Sequence, residues 1–135
     1  MPALALWTPE DGLLGALAPL GAALAASPAL VIDLDPNGPR YPGDRSLADL
    51  VEGEPTRDDL TPGKGVAVLR NGGVAPSSAA AVVGSLIDAW DRVVLRLPAQ
   101  PPPVADFPVV PVRLLVPGWY STATEPSVWQ ATPAW

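Results

Sequence analysis

The chain has 135 residues, a formal net charge of −6, no cysteine and no histidine. That length suits one domain with a real core, and the missing residue types exclude disulfides, thiolate zinc sites, and Ser-His-Asp or Cys-His catalysis. The acidic balance argues against a nucleic-acid backbone or an anionic membrane as partner. Only 16% of residues are charged, beside 19 prolines and five tryptophans. Such a surface favours a protein partner or self-association, although a codon bias toward Ala, Pro, Gly and Val accounts for the composition equally well. The amino-terminal residues carry no basic stretch, and Glu10 and Asp11 interrupt their apolar run, so neither a signal peptide nor a membrane insertion is expected. The expected location is the cytoplasm.

Ala3 to Trp7 reads as a first strand. Thr8, Pro9, Glu10 and Asp11 then form a helix-start signal: a hydroxyl cap, a proline at the first helical position and acids in the first turn. The helix is expected from about Pro9 to Ala26, with Leu13, Leu17, Leu20 and Leu24 on its apolar face and Pro19 kinking or splitting it. Ala29 to Ile32 is an unalternating apolar run that leads into Asp33, Leu34, Asp35 and Pro36. Such a run reads as a strand buried on both faces of a parallel sheet, with Asp33 and Asp35 at its carboxyl end, where open α/β sheets bind ligands.

Pro36 to Arg45 is a Pro- and Gly-rich loop. Ser46 is expected to cap a short helix from Leu47 to Val51 with Asp49 in its first turn, and Thr56 to Leu60 reads as a second capped turn. Val66 to Leu69 is a third strand, Asn71-Gly72-Gly73 a turn, and Ser77 or Ser78 the cap of a helix from Ala79 to about Trp90. Its apolar face is Val82, Val83, Leu86, Ile87 and Trp90. Val93 to Leu97 is strand four, Ala99 to Pro103 is extended, and Val109 to Val116 is strand five, where Pro111 favours an edge or an early position. Strands alternating with helices give an α/β fold: three layers, a mostly parallel sheet and helices on both faces. Residues 1–116 form that domain, and residues 117–135 an aromatic tail packed on the domain or on a partner. Trp119, Tyr120, Trp129 and Trp135 are its partner-binding candidates.

Val31-Ile32-Asp33-Leu34-Asp35-Pro36 resembles the second-strand motif of the ParA/MinD family of deviant Walker ATPases, an apolar run followed by D-x-D-P-Q. Ser46 to Glu54 resembles that family's L-x-D-V-L-x-G helix, Leu60 to Gly72 its third strand, and Ala89 to Leu95 the approach to its fourth. The resemblance covers about residues 3–98 and implies a truncated fold of that type. It implies a role in bacterial cell organisation, or in pilus or secretion assembly.

The departures fall where catalysis needs the motifs. The family's phosphate loop, K-G-G-x-G-K-[ST], corresponds here to Thr8-Pro9-Glu10-Asp11-Gly12-Leu13, which has no lysine and one glycine. Lys64, the one lysine of the chain, lies in Gly63-Lys64-Gly65 before a strand. The family's metal-holding strand-four aspartate corresponds to Arg96. The expectation is therefore a pseudo-ATPase without catalytic residues, cofactor or metal, acting as a binding or scaffolding module. Two alternatives stand beside it: a residual nucleotide-binding subunit that uses Asp33 and Asp35 with a partner's lysine, and a purely structural subunit.

Several groups carry two readings. Asp33 and Asp35 can bind Mg²⁺, or cap the next element and pair with an arginine such as Arg96. Glu10 and Asp11 can repel a nucleotide or simply complement the helix dipole. Glu52, Glu54, Asp58 and Asp59 can form an acidic docking face or a solvated one. Asn71-Gly72-Gly73 can be an anion-binding nest or a plain turn.

Overall fold

The computed structural model describes residues 3–7, 12–37, 40–98, 109–115 and 128–131. Its elements are β1 (Ala3–Trp7), α1 (Gly12–Ala25), β2 (Ala29–Asp33), α2 (Leu47–Gly53), β3 (Val66–Leu69), α3 (Pro76–Ala89), β4 (Val93–Arg96), β5 (Val109–Leu115) and β6 (Val128–Ala131). The strands form one sheet in the order β3-β2-β4-β1-β5-β6, and every adjacent pair is parallel. The connection from β1 to β2 steps over β4 in one direction, and that from β3 to β4 steps over β2 in the other. Right-handed crossovers in opposite directions must lie on opposite faces. The helices of these two connections obey this: α1 covers Leu6, Val31 and Val94, while α3 covers the other face with Leu30, Ile32, Leu69, Val93 and Leu95, and the short α2 packs beside α3 although its connection runs in the same direction as that of α1. The fold is a three-layer α/β sandwich with a parallel sheet, as the alternation of elements predicts.

Strand β2 is buried along its whole length, which explains its lack of apolar alternation. In α2, the Ser46 amide donates to Asp49 Oδ2 (2.9 Å) and the Asp49 amide donates to Ser46 Oγ (3.2 Å), a reciprocal capping box. This helix runs two residues past its expected end, to Gly53. The buried residues of α3 are Ala79, Val83 and Leu86, followed by Trp90, whose indole Nε1 donates to the Asp59 carbonyl at 3.0 Å.

Three expectations need correction. First, Pro19, which is fully buried, does not split α1, which is one helix from Gly12 to Ala25. Proline at position 19 leaves the Gly15 carbonyl without its ladder amide, and at the next carbonyl, Ala16, the Tyr41 hydroxyl donates a hydrogen bond. An external donor thus supports the weakened turn. Second, two of the four leucines expected on the apolar face of α1 turn outward, while Leu20 packs against the core. Leu17 is 47% exposed and Leu24 69%, whereas Ala16, Pro19 and Ala23 face the sheet. A helix without charge around its whole circumference has no pattern to fix its rotation, and small residues allow the closest approach to the strands. Third, α3 begins at Pro76 with Ala75 as its cap, and neither Ser77 nor Ser78 caps it. Proline at the first helical position needs no amide partner and presets φ. For Pro111 the early position holds and the edge does not: it is the third residue of β5, which lies between β1 and β6.

Part of the expected aromatic tail is the edge strand β6, in which Trp129 is in register with Arg113. Trp119, Tyr120 and Trp135 lie outside the described residues, as do Thr8 to Asp11 and Ala99 to Pro103. No helix of the described residues is long and apolar enough to cross a membrane.

Candidate functional site

The carboxyl ends of β2, β3 and β4 converge on a cluster of charge. Asp33, the last residue of β2, is in direct register with Arg96, the last residue of β4. Neighbours in register on parallel strands point to the same face. The alternation that places Val31 and Val94 against α1 places these two side chains there as well. Arg96 donates from one terminal nitrogen to Asp33 Oδ2 at 3.1 Å. Its other terminal nitrogen lies 3.5 Å from Asp35 Oδ2. Asp33 is 2% exposed and Arg96 1%. The guanidinium lies 5.3 Å from the centroid of the Tyr41 ring, within cation–π range.

The loop after β2 folds on its own acids. The Asp35 amide donates to Asp33 Oδ1 and the Asn37 amide to Asp35 Oδ1, each at 2.9 Å, two successive Asx turns. Burial pushes the Asp33 carboxyl up to about 6, against the opposing pull of the Asp35 amide and the Arg96 charge. Burial likewise raises the Tyr41 phenol. Asp33 and Asp35 thus each close a turn and share Arg96 as a partner. Among the described residues, no group of three or more acids could hold a metal ion.

Asn71 joins β3 to this cluster. It is 4% exposed and uses its whole amide: Nδ2 donates to the carbonyls of Asp33 (3.0 Å) and Val74 (2.9 Å). Its Oδ1 accepts from the amides of Gly73 and Val74, both at 2.8 Å. The asparagine's own oxygen thus takes the Gly73 and Val74 amides and closes the Asn71-Gly72-Gly73 turn. Gly72 has φ +76°, and a β-carbon on it would meet Ser46 Oγ at 2.6 Å. Only glycine lets this turn approach the cap of α2.

Around these groups lies a cleft of about 330 Å³, lined by Asp33, Asp35, Arg40, Tyr41, Arg70 and Gly72 among others. Arg70 Nε donates to the Gly43 carbonyl at 2.8 Å.

The acidic residues of the α2 region separate in role. Glu52, Glu54 and Asp58 are exposed. Asp59 instead pairs with Arg45, and its Oδ2 accepts from the Thr56 amide and hydroxyl, both at 2.8 Å. The Arg45 hydrogen bond holds its carboxyl down at about 2. Lys64 is exposed in the turn before β3. Tyr41, Arg40, Arg70 and the tying role of Asn71 have no motif to announce them. The one available signal is a lone aromatic in the Pro- and Gly-rich loop from Pro36 to Arg45, which suits an anchor.

In comparisons with protein-family models, with curated proteins and with solved structures, the chain has no match.

Proposed function

We propose that this chain is a non-catalytic relative of the ParA/MinD ATPases, a protein-binding or scaffolding module in bacterial cell organisation or in pilus or secretion assembly. One observation carries the reading: the Arg96 guanidinium bridges Asp33 and Asp35 at the carboxyl ends of β4 and β2. The resemblance places a metal-holding acid at position 96. An arginine there cannot ligate a cation, and it engages the two carboxylates that a Mg²⁺ ion would use. The interval between β1 and α1 has no lysine to reach a phosphate. The fold is kept and the means of polarising a phosphoryl group are not, which leaves surface recognition as the function. Sparse surface charge and the aromatic residues Trp119, Tyr120, Trp129 and Trp135 support a protein as the partner.

The test is a titration of the purified protein with a fluorescent ATP analogue, with and without Mg²⁺, beside a phosphate-release assay. Neither saturable binding nor turnover is expected. Mg²⁺-dependent binding that disappears in Asp33→Ala or Asp35→Ala would overturn the reading in favour of a residual nucleotide site. Binding that survives both substitutions would overturn it in favour of a nucleotide site elsewhere.

A further inference from the structure

The cleft at the ends of β2 and β3 has a local charge opposite to that of the chain. The chain carries −6 overall. Around the cleft, Arg40 and Arg70 line the wall beside Asp33 and Asp35, and Arg96 lies behind the two acids. Three guanidiniums thus face two carboxylates. Arg96 offsets one of the two acids it bridges, so the group as a whole carries +1, with Arg40 and Arg70 as the guanidiniums on the cleft wall.

The hydrogen-bond inventory shows which of these groups have capacity left. Asn71 is fully used, and the Tyr41 hydroxyl is spent on Ala16. Arg70 uses only Nε, on the Gly43 carbonyl. That bond orients the guanidinium and leaves its two terminal nitrogens without a hydrogen bond among the described residues. Arg40 makes no hydrogen bond there at all. A planar guanidinium with both terminal nitrogens available matches a two-oxygen anion. The volume of about 330 Å³ is at the small end of ligand pockets, and the position is where open α/β sheets bind ligands.

We infer that this cleft binds a small anionic metabolite through its carboxylate or phosphate, held by Arg70 and Arg40, with Asp35 receiving a hydroxyl or ammonium at the ligand's other end. The site uses residues that the missing phosphate loop does not touch, so a negative nucleotide titration leaves it standing.

The test is a heteronuclear NMR titration of the ¹⁵N-labelled chain without Mg²⁺, at constant ionic strength, with inorganic phosphate in one arm and succinate in the other. Saturable shifts are expected at the Arg70 Nε–H and the Gly72 amide, and the tighter arm identifies the anion as phosphate or carboxylate. Arg40→Gln and Arg70→Gln are each expected to weaken binding about tenfold or more. Because Arg70→Gln also frees the Gly43 loop, Arg40→Gln, which removes no described bond, is the deciding variant. No saturable shift in either arm, or an affinity unchanged in Arg40→Gln, would overturn the site.

Discussion

Replacing Arg96 with methionine tests how the rim of the sheet is held. The substitution keeps the length and apolar stem of the side chain and removes its charge. Asp33, 2% exposed, is then left with one hydrogen bond, from the Asp35 amide. Removing one partner of a buried pair costs about 3–5 kcal/mol, because the other charge stays desolvated.

The pH dependence follows from Asp33. Below about pH 4 it is protonated in both the folded and unfolded chain. Its folded value is raised to about 6. Between these values the folded chain keeps a proton that the unfolded chain releases, so stability falls as pH rises, by about 3 kcal/mol in all. Without Arg96 the carboxyl is pushed higher still, and the fall continues further up the scale. The deficit of Arg96→Met is therefore expected to be largest near about pH 8 and less than half as large near about pH 5, where Asp33 is neutral in both proteins. Adding Asp33→Leu should recover most of the loss, since an apolar pair can replace a buried ion pair at little cost. Urea unfolding followed by tryptophan fluorescence reads this directly, with the buried Trp90 as reporter. An unchanged midpoint near the upper pH, or the same deficit at both, would refute the buried-pair account.

Gly72→Ala should destabilise the fold by about 2–4 kcal/mol, from the positive φ and the clash with Ser46 together. Ser46→Gly in the same background should return part of it, and additive losses in a double-mutant cycle would count against the contact. On α1, Leu24→Gln should change stability by no more than about 0.5 kcal/mol, and Ala23→Leu should cost about 1–3 kcal/mol. The reverse order, measured by thermal melts, would restore the leucine face. Trp90→Phe keeps the ring in the core but leaves the Asp59 carbonyl without its indole donor, an expected loss of about 1 kcal/mol. An unchanged unfolding midpoint in urea would remove that bond from the account.

The strands β1 to β4 were legible because a buried parallel strand needs an apolar run, and Ala29 to Ile32 and Val93 to Leu95 supply nothing else. Ser46 and Asp49 were legible because a capping box is local chemistry three residues long. Arg96 was readable as a possible partner of Asp33, although its register opposite Asp33 depends on β4 entering between β1 and β2. The rotation of α1 was illegible for the opposite reason: Gly12 to Ala25 has no polar face, so leucine spacing carried no information about which side meets the sheet. Strand β6 has four residues and no alternation to separate it from a loop. Tyr41 and Asn71 act across the chain, on Ala16 and Asp33, and nothing near them in sequence marks a partner that distant.

The place of β4 in the sheet sets the order in which the chain can assemble during synthesis. This strand separates β1 from β2, yet Ala3 must wait for Val93, about 90 positions later, and Leu30 waits for the same residue. Before then the one sheet pairing available is that of β2 with β3, Ala29 against Val66. At ribosomal rates of about 5–20 residues per second, the interval from the end of β2 to the start of β4 lasts roughly 3–12 s. Through that time the nascent chain holds two apolar strands whose inner edges have no partner. A pause in translation before Leu97 would prolong that exposure, and a chaperone would find its binding segment in Ala29 to Ile32.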